Sequence, residues 1–151
     1  MMKSSSLIFS RQCEYALQAI LYLATKEDGE HTSIKELTDH LRIPYHFLGK
    51  ILQALTHTGL LLSHKGPTGG FALGMPAEDI TLLHIVEAVD GVDFMHSCVL
   101  GFPVCSSENP CSVHYQWSTL REGLYKMLAG KNINELALRM EKPGYHEEVA
   151  Q

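Results

Sequence analysis

No stretch of this chain is both long and apolar enough to cross a membrane. The longest apolar run, Ala16 to Ala24, is interrupted by Gln18 and falls far short of the roughly 20 residues that a spanning helix needs. The segment ahead of Arg11 holds too few apolar residues for a signal-peptide core, so the expectation is a soluble cytoplasmic protein without a membrane partner. Cysteine is scarce, at four in 151 residues, and cytoplasmic thiols stay reduced, which disfavours a disulfide framework. A glycine-rich nucleotide-binding motif is missing, as is any credible set of nucleophile, base and orienting group, so an enzyme is not expected. Internal repeats and low-complexity tracts are also lacking.

Basic residues are few as well: 12 Lys and Arg stand against 17 Asp and Glu, a formal net charge of −5. That balance argues against a nucleic-acid partner until its distribution is read. Residues 1–30 carry three bases and four acids, residues 31–75 four bases and two acids, and residues 76–151 five bases and eleven acids. The middle segment is therefore positive and holds five of the nine histidines, which is compatible with local contact to DNA. With 45% hydrophobic and 19% charged residues the composition is that of a globular protein, and 151 residues are the size of one domain, or of one compact domain plus an appended element.

Hydrophobic periodicity predicts a first helix from a cap at Ser10 to about Thr25, carrying Tyr15, Ala16, Ala19, Ile20, Leu23 and Ala24 on one side and Leu17 and Leu21 on the other. So wide an apolar surface requires burial on two sides, within the domain or against a second subunit. Ser33-Ile34-Lys35-Glu36 reads as a capping box opening a short helix with Ile34, Leu37 and Leu41 inward. Arg42-Ile43-Pro44 ends that helix and Pro44 suits the start of the next. The next helix is expected to bury Phe47, Leu48, Ile51, Leu52 and Leu55 and to stop at Gly59. Strands at Leu60–Leu62 and Phe71–Leu73 then flank a turn, Lys65-Gly66-Pro67-Thr68-Gly69-Gly70.

Helix, turn, helix and hairpin in that order describe a winged helix. The core assignment leaves Tyr45, His46, Gly49, Lys50 and Gln53 outward, where a second helix enters the major groove. The hairpin tip offers His64, Lys65 and Thr68 to phosphates or the minor groove. Beyond Pro76, a helix from about Thr81 to Asp90 with Leu82, Ile85, Val86 and Val89 on its apolar face ends at Gly91. A longer one, capped by Ser112, runs from Val113 to about Ala129. Its stripe of Trp117, Leu120, Leu124 and Leu128, flanked by Val113 and Met127, suits a symmetric dimer contact, the alternative being that it closes the chain's own core. Asn132-Ile133-Asn134-Glu135 resembles a further helix start.

Between these two helices lies C-V-L-G-F-P-V-C-S-S-E-N-P-C-S-V-H, residues 98–114. Thiolates favour zinc, copper(I) or iron-sulfur clusters. A tight C-x2-4-C zinc knuckle is missing, and widely spaced cysteines in a loop can wrap an inorganic cluster instead. Cys98, Cys105 and Cys111 supply three ligands, and His114 or Glu14, the latter from a partner subunit, can supply the fourth. Cys13 is turned about 100° from Glu14 around the first helix and reads as a buried small hydrophobe.

At these residues the chain resembles the IscR/NsrR-type (Rrf-two) family of winged-helix transcription regulators. The resemblance runs from about Phe9 to Ala137, through C-E-Y-A-L-Q-A-I-L-Y-L-A, I-P-Y-H-F-L-G-K-I-L-Q-A-L, G-L-L-L-S-H-K-G-P-T-G-G-F-A-L-G, I-T-L-L-H-I-V-E-A-V-D-G and the cysteine triplet. It implies a homodimer on a near-palindromic double-stranded DNA operator and, in cluster-bearing members, an iron-sulfur cluster, 2Fe-2S or 4Fe-4S, whose state sets DNA affinity. By position it implies Cys98, Cys105 and Cys111 as cluster thiolates, with Glu14 where NsrR-like members place an acidic ligand and His114 where IscR-like members place a histidine. The expected fold is mainly α, a winged helix-turn-helix with a small β-hairpin wing plus a long C-terminal dimerisation helix. Residues 1–91 form the DNA-binding domain, 92–112 the cluster loop, 113–141 the dimerisation and final helices, and 142–151 a tail. A cluster-free regulator controlled by thiol oxidation or a partner protein is the alternative, with a metal-dependent enzyme or electron carrier behind it.

Overall fold

The computed structural model describes residues 8–140; the expected tail at 142–151 lies outside them. Six α-helices and one antiparallel hairpin follow the expected order: α1 Arg11–Ala24, α2 Ile34–Leu41, α3 Tyr45–His57, β1 Leu61–His64, β2 Gly70–Leu73, α4 Leu82–Val89, α5 His114–Gly130 and α6 Ile133–Met140. The hairpin register pairs Leu61 with Leu73 and His64 with Gly70. This is a mainly helical winged helix-turn-helix followed by a long C-terminal helix.

The Ser10 side chain accepts a hydrogen bond from the Cys13 amide and so caps α1. The helix packs against α2, α3, α4, α6 and β2, and its wide apolar surface is covered within the chain. Ala16, Ala19, Ile20 and Leu23 enter the main core with Leu37, Leu48, Leu52, Leu55, Leu61, Ile85 and Ile133. Cys13 enters a second, smaller core with Val86 and Leu128. Cys13 is thus the buried small hydrophobe expected, and burial, followed by the charge of Asp90, pushes its thiol up to about 12. The final helix returns to the main core through Ile133, whose amide donates to Ile80 O at 2.7 Å, and Ala137 is buried as well.

Three local expectations need correction. Phe47 is not in the core: it is 55% exposed, while Leu48, Ile51, Leu52 and Leu55 are buried. At about 100° per residue it stands about 90° from the mean direction of those four, so its apolar character, not its position, suggested burial. The box at Ser33 is only half formed. Ser33 Oγ accepts from the Glu36 amide at 3.1 Å, but the Glu36 carboxylate turns to Tyr22 Oη and Lys26 Nζ on α1, at 2.8 and 2.6 Å. The reciprocal box occurs instead at α4, between Thr81 and His84. Finally, Ser112 does not cap α5. That helix starts without a side-chain cap, and a backbone turn leads into it, His114 N donating to Cys111 O at 3.2 Å.

The Glu36 cluster gives a pH expectation. The hydrogen bond from Lys26, then that from Tyr22, holds the Glu36 carboxyl below its ordinary value. A lowered folded-state value means stabilisation that is present at neutral pH and is lost as pH falls through the carboxylate range. The Glu36 side chain is 43% exposed, so the contribution is below about 1 kcal/mol. Glu36→Gln should flatten the acid limb of the stability profile measured by urea unfolding between pH 7 and 3, and an unchanged profile would refute the assignment.

Candidate nucleic-acid interface and metal centre

The turn between α2 and α3 is made by one strained residue and one proline. Arg42 adopts the left-handed conformation (φ 57) and its amide donates to Thr38 O, while Ile43 is buried beneath the turn. Pro44 then precedes α3, where a missing N–H costs nothing. Tyr45, His46, Lys50 and Gln53 project from α3 into solvent. Gly49 differs from them: it is half-buried, and a Cβ there would lie 3.6 Å from Ile34 Cδ1, so this position faces α2. Residues 40–77, which include the whole of α3 and the hairpin, contain neither Asp nor Glu. That segment therefore sets Arg42, Lys50 and Lys65 against no acid, despite the net charge of the chain.

The wing is anchored at its base. Thr32, fully buried, bridges to Phe71 as a one-residue third strand. The His31 ring meets the His64 ring edge-on, with centroids 4.1 Å apart. Gly70 fits because a Cβ would lie 2.4 Å from Thr32 O. His64, Lys65 and Thr68 are all exposed, with Lys65 and Thr68 at the tip, where Gly69 N donates to Gly66 O to close the turn.

The loop 92–112 folds its three cysteines together. The Sγ atoms of Cys98, Cys105 and Cys111 all lie within 4.8 Å of one another, the one such group among the described residues. Two pairs are closer still: Cys98 Sγ to Cys111 Sγ at 3.6 Å, and Cys105 Sγ to His114 Nδ1 at 3.4 Å. The Cys111 amide donates to Cys105 Sγ at 3.4 Å. Burial raises the Cys98 thiol, but hydrogen bonds from the Phe102 and Leu100 amides, with those from the Cys111 and Cys105 side chains, together bring the value down to about 7. For Cys111 the Val113 amide favours the thiolate, yet burial and the Cys105 and Cys98 sulfurs prevail and raise it. Trp117 Nε1 donates to Ser97 O at 2.9 Å and ties α5 to the start of the cluster.

Glu14 is not among these groups. It sits in the first turn of α1 with the Arg11 guanidinium 3.9 Å away. Nearby, Asp90 at the end of α4 grips the N-terminus of α1: its carboxylate accepts from both the Ser10 amide and the Ser10 hydroxyl. This link from the residue before the cysteine loop to α1 has no periodic signature and was not read from sequence. The α5 stripe is divided. Leu128 is buried and Leu124 packs beside it in the second core, Trp117 is half-buried, and Leu120 is 67% exposed together with Met127 at 56%. No described helix is long and apolar enough to cross a membrane.

A family model described as Rrf2, iron-dependent transcriptional regulator, matches residues 9–139. A protein of Aquifex aeolicus, provisionally named an HTH-type transcriptional regulator, is 34% identical over 132 residues, spanning 86% of this chain and 91% of its own. Among solved structures, CymR, the global cysteine regulator of B. subtilis, superposes with a TM-score of 0.73 at 24% identity and covers 92% of this chain and 98% of its own. T. potens IscR superposes with a TM-score of 0.70 at 19% identity and covers 90% of each chain. These two likenesses concern the fold.

Proposed function

The chain belongs to the Rrf2 family of transcriptional regulators, and from that premise we propose that it binds operator DNA as a homodimer under the control of an iron-sulfur cluster held by Cys98, Cys105, Cys111 and His114. The observation that carries the metal reading is the pairing of the donors. Two tetrahedral thiolates about 2.3 Å from one metal stand about 3.8 Å apart, and a thiolate with an imidazole slightly less. Cys98 with Cys111, at 3.6 Å, and Cys105 with His114, at 3.4 Å, each meet that spacing. A cluster held by these four residues would supply reversible one-electron chemistry and reactivity toward oxidants and nitric oxide.

The remaining steps belong to the chain. Phe102 and Leu100 amides favour the Cys98 thiolate, and the Cys111 amide supports Cys105. Trp117 carries the state of the loop to α5. Leu120 and Met127, exposed on α5, face a second copy of the chain, and the two wings and α3 helices then meet half-sites at a fixed spacing. Lys50 and Gln53, with Tyr45 and His46, address the major groove; His64, Lys65 and Thr68 reach phosphates. Release of the loop would change the spacing and hence affinity.

Anaerobic purification should yield iron, acid-labile sulfide and visible absorbance, and titration with the DNA upstream of its own coding sequence should give different affinities with and without the cluster. Protein with neither iron nor sulfide, whose DNA binding ignores redox state, would overturn the proposal; one zinc per chain would replace the cluster by a single ion. His114→Ala should shift the visible spectrum while Glu14→Ala leaves it unaltered, and the reverse outcome would move the fourth ligand to Glu14. Log affinity should fall with log salt at about −0.9 per phosphate contacted, Lys65→Ala should reduce that slope by roughly 1, and Lys50→Ala should relax base preference in the half-site.

A second reading is favoured by the same 3.6 Å approach of Cys98 and Cys111: a regulator without a cluster whose thiols respond directly to oxidation. Metal analysis separates the two.

A further inference from the structure

We infer that Phe47 reads a thymine methyl group in the major groove and is a specificity-determining residue of α3. The inference rests on the operator-binding role proposed above and adds a contact that the expected groove-facing set, Tyr45, His46, Gly49, Lys50 and Gln53, did not contain.

Phe47 occupies the third position of α3, in the N-terminal turn that approaches base edges when such a helix lies in the groove. Its side chain is 55% exposed although the aliphatic residues Leu48, Ile51, Leu52 and Leu55 of the helix are buried. Around the helix it stands about 60° from Lys50 and about 100° from His46, so it borders the face that carries the polar groups. Packing does not hold it outward for stability: an exposed phenyl ring leaves apolar area in water that burial would otherwise stabilise. The surface around it discriminates among occupants. With neither Asp nor Glu from residue 40 to residue 77, this face suits a polyanion, and a second copy of the same face would meet like charge.

Among the groups that base pairs present in the major groove, the thymine C5 methyl is the apolar one, and a phenyl ring is among its usual partners. Gly49, turned toward Ile34 on α2, cannot provide that contact. Phe47 thereby supplies apolar readout beside the hydrogen-bonding readout of Lys50 and Gln53.

The test uses the full chain. Duplexes are selected from a random-sequence library, and the selected duplex is compared by fluorescence anisotropy with copies in which each thymine is replaced in turn by uracil, which removes only the methyl. At one thymine per half-site, uracil should weaken wild-type binding about fourfold, and more than tenfold when both half-sites are changed, as expected for loss of one buried methyl at each. Phe47→Ala should bind the thymine and uracil duplexes equally, with the wild-type helical circular dichroism and salt slope, and Phe47→Tyr should keep the methyl sensitivity. Wild-type binding indifferent to every thymine methyl, or Phe47→Ala with undiminished sensitivity, would overturn the inference and leave operator binding intact. Failure of the wild type to select any duplex in any redox state would overturn both.

Discussion

Cys98→Ser should leave anaerobically prepared protein colourless, with iron and sulfide at background. Serine keeps the size of the side chain but replaces a soft thiolate by a hydroxyl that ionises far above neutral pH and is a poor cluster ligand. Cys98 is also a thiol prepared for ligation, since hydrogen bonds from the Phe102 and Leu100 amides and from the Cys111 and Cys105 side chains together outweigh burial and bring it to about 7. Loss of a group that only hydrogen-bonds to a ligand typically costs 10- to 100-fold in metal affinity, so loss of this ligand itself should exceed about 100-fold. Cys13→Ser is the matched control. Its thiol lies in the second core with Val86 and Leu128, away from the triplet, so iron content should stay at the wild-type level while stability falls by about 1–3 kcal/mol for burying a hydroxyl. Iron and colour retained in Cys98→Ser, with sulfide analysis to match, would remove Cys98 from the site.

Gly70→Ala should be far more destabilising than the same change at Gly66, at the tip of the wing. At this residue φ is +153, and a Cβ would meet Thr32 O at 2.4 Å and Thr32 C at 2.6 Å. Those atoms belong to the backbone that bridges Phe71 and leads into α2, so relief requires parting the wing from the helix-turn-helix. The expected loss is above about 4 kcal/mol, a size that few mechanisms reach, violation of a special backbone position among them. Gly66→Ala provides the comparison. Gly66 also has positive φ, +107, but no atom lies within 4 Å of a Cβ there, so backbone strain alone applies, about 1–3 kcal/mol. Urea unfolding of the two variants should separate these costs. Equal midpoints would mean that the close approach at Thr32 does not support the wing.

Much of this architecture was legible in advance because its signals are local. Ser10 and Thr81 precede apolar periods and cap helices. Pro44 separates two helices, and the glycines around Lys65 mark a hairpin whose strands pair as expected. The misread residues have two causes. Phe47 reads as core by apolar character alone, against its angle on the helix, whereas Leu128 reads as part of a dimer stripe by period, which gives angles within one helix and is silent about the direction from which neighbours approach. Phe47 proved to be turned from the core of α3, and Leu128, expected to serve a dimer, is taken up by Cys13 and Val86 of its own chain. Glu36 had the spacing of a box, yet Tyr22 and Lys26 on α1 offered its carboxylate stronger partners than one amide.

The sequence by itself determined the order of elements, the acid-free stretch from residue 40 to residue 77 and the identity of the thiols, because composition, capping and turn chemistry act over a few residues. Only the tertiary structure decided how those thiols pair, that His114 stands beside Cys105, that Asp90 grips Ser10 and that Phe47 faces outward. These relations depend on where separate segments meet, and packing among distant parts of the chain selects that meeting.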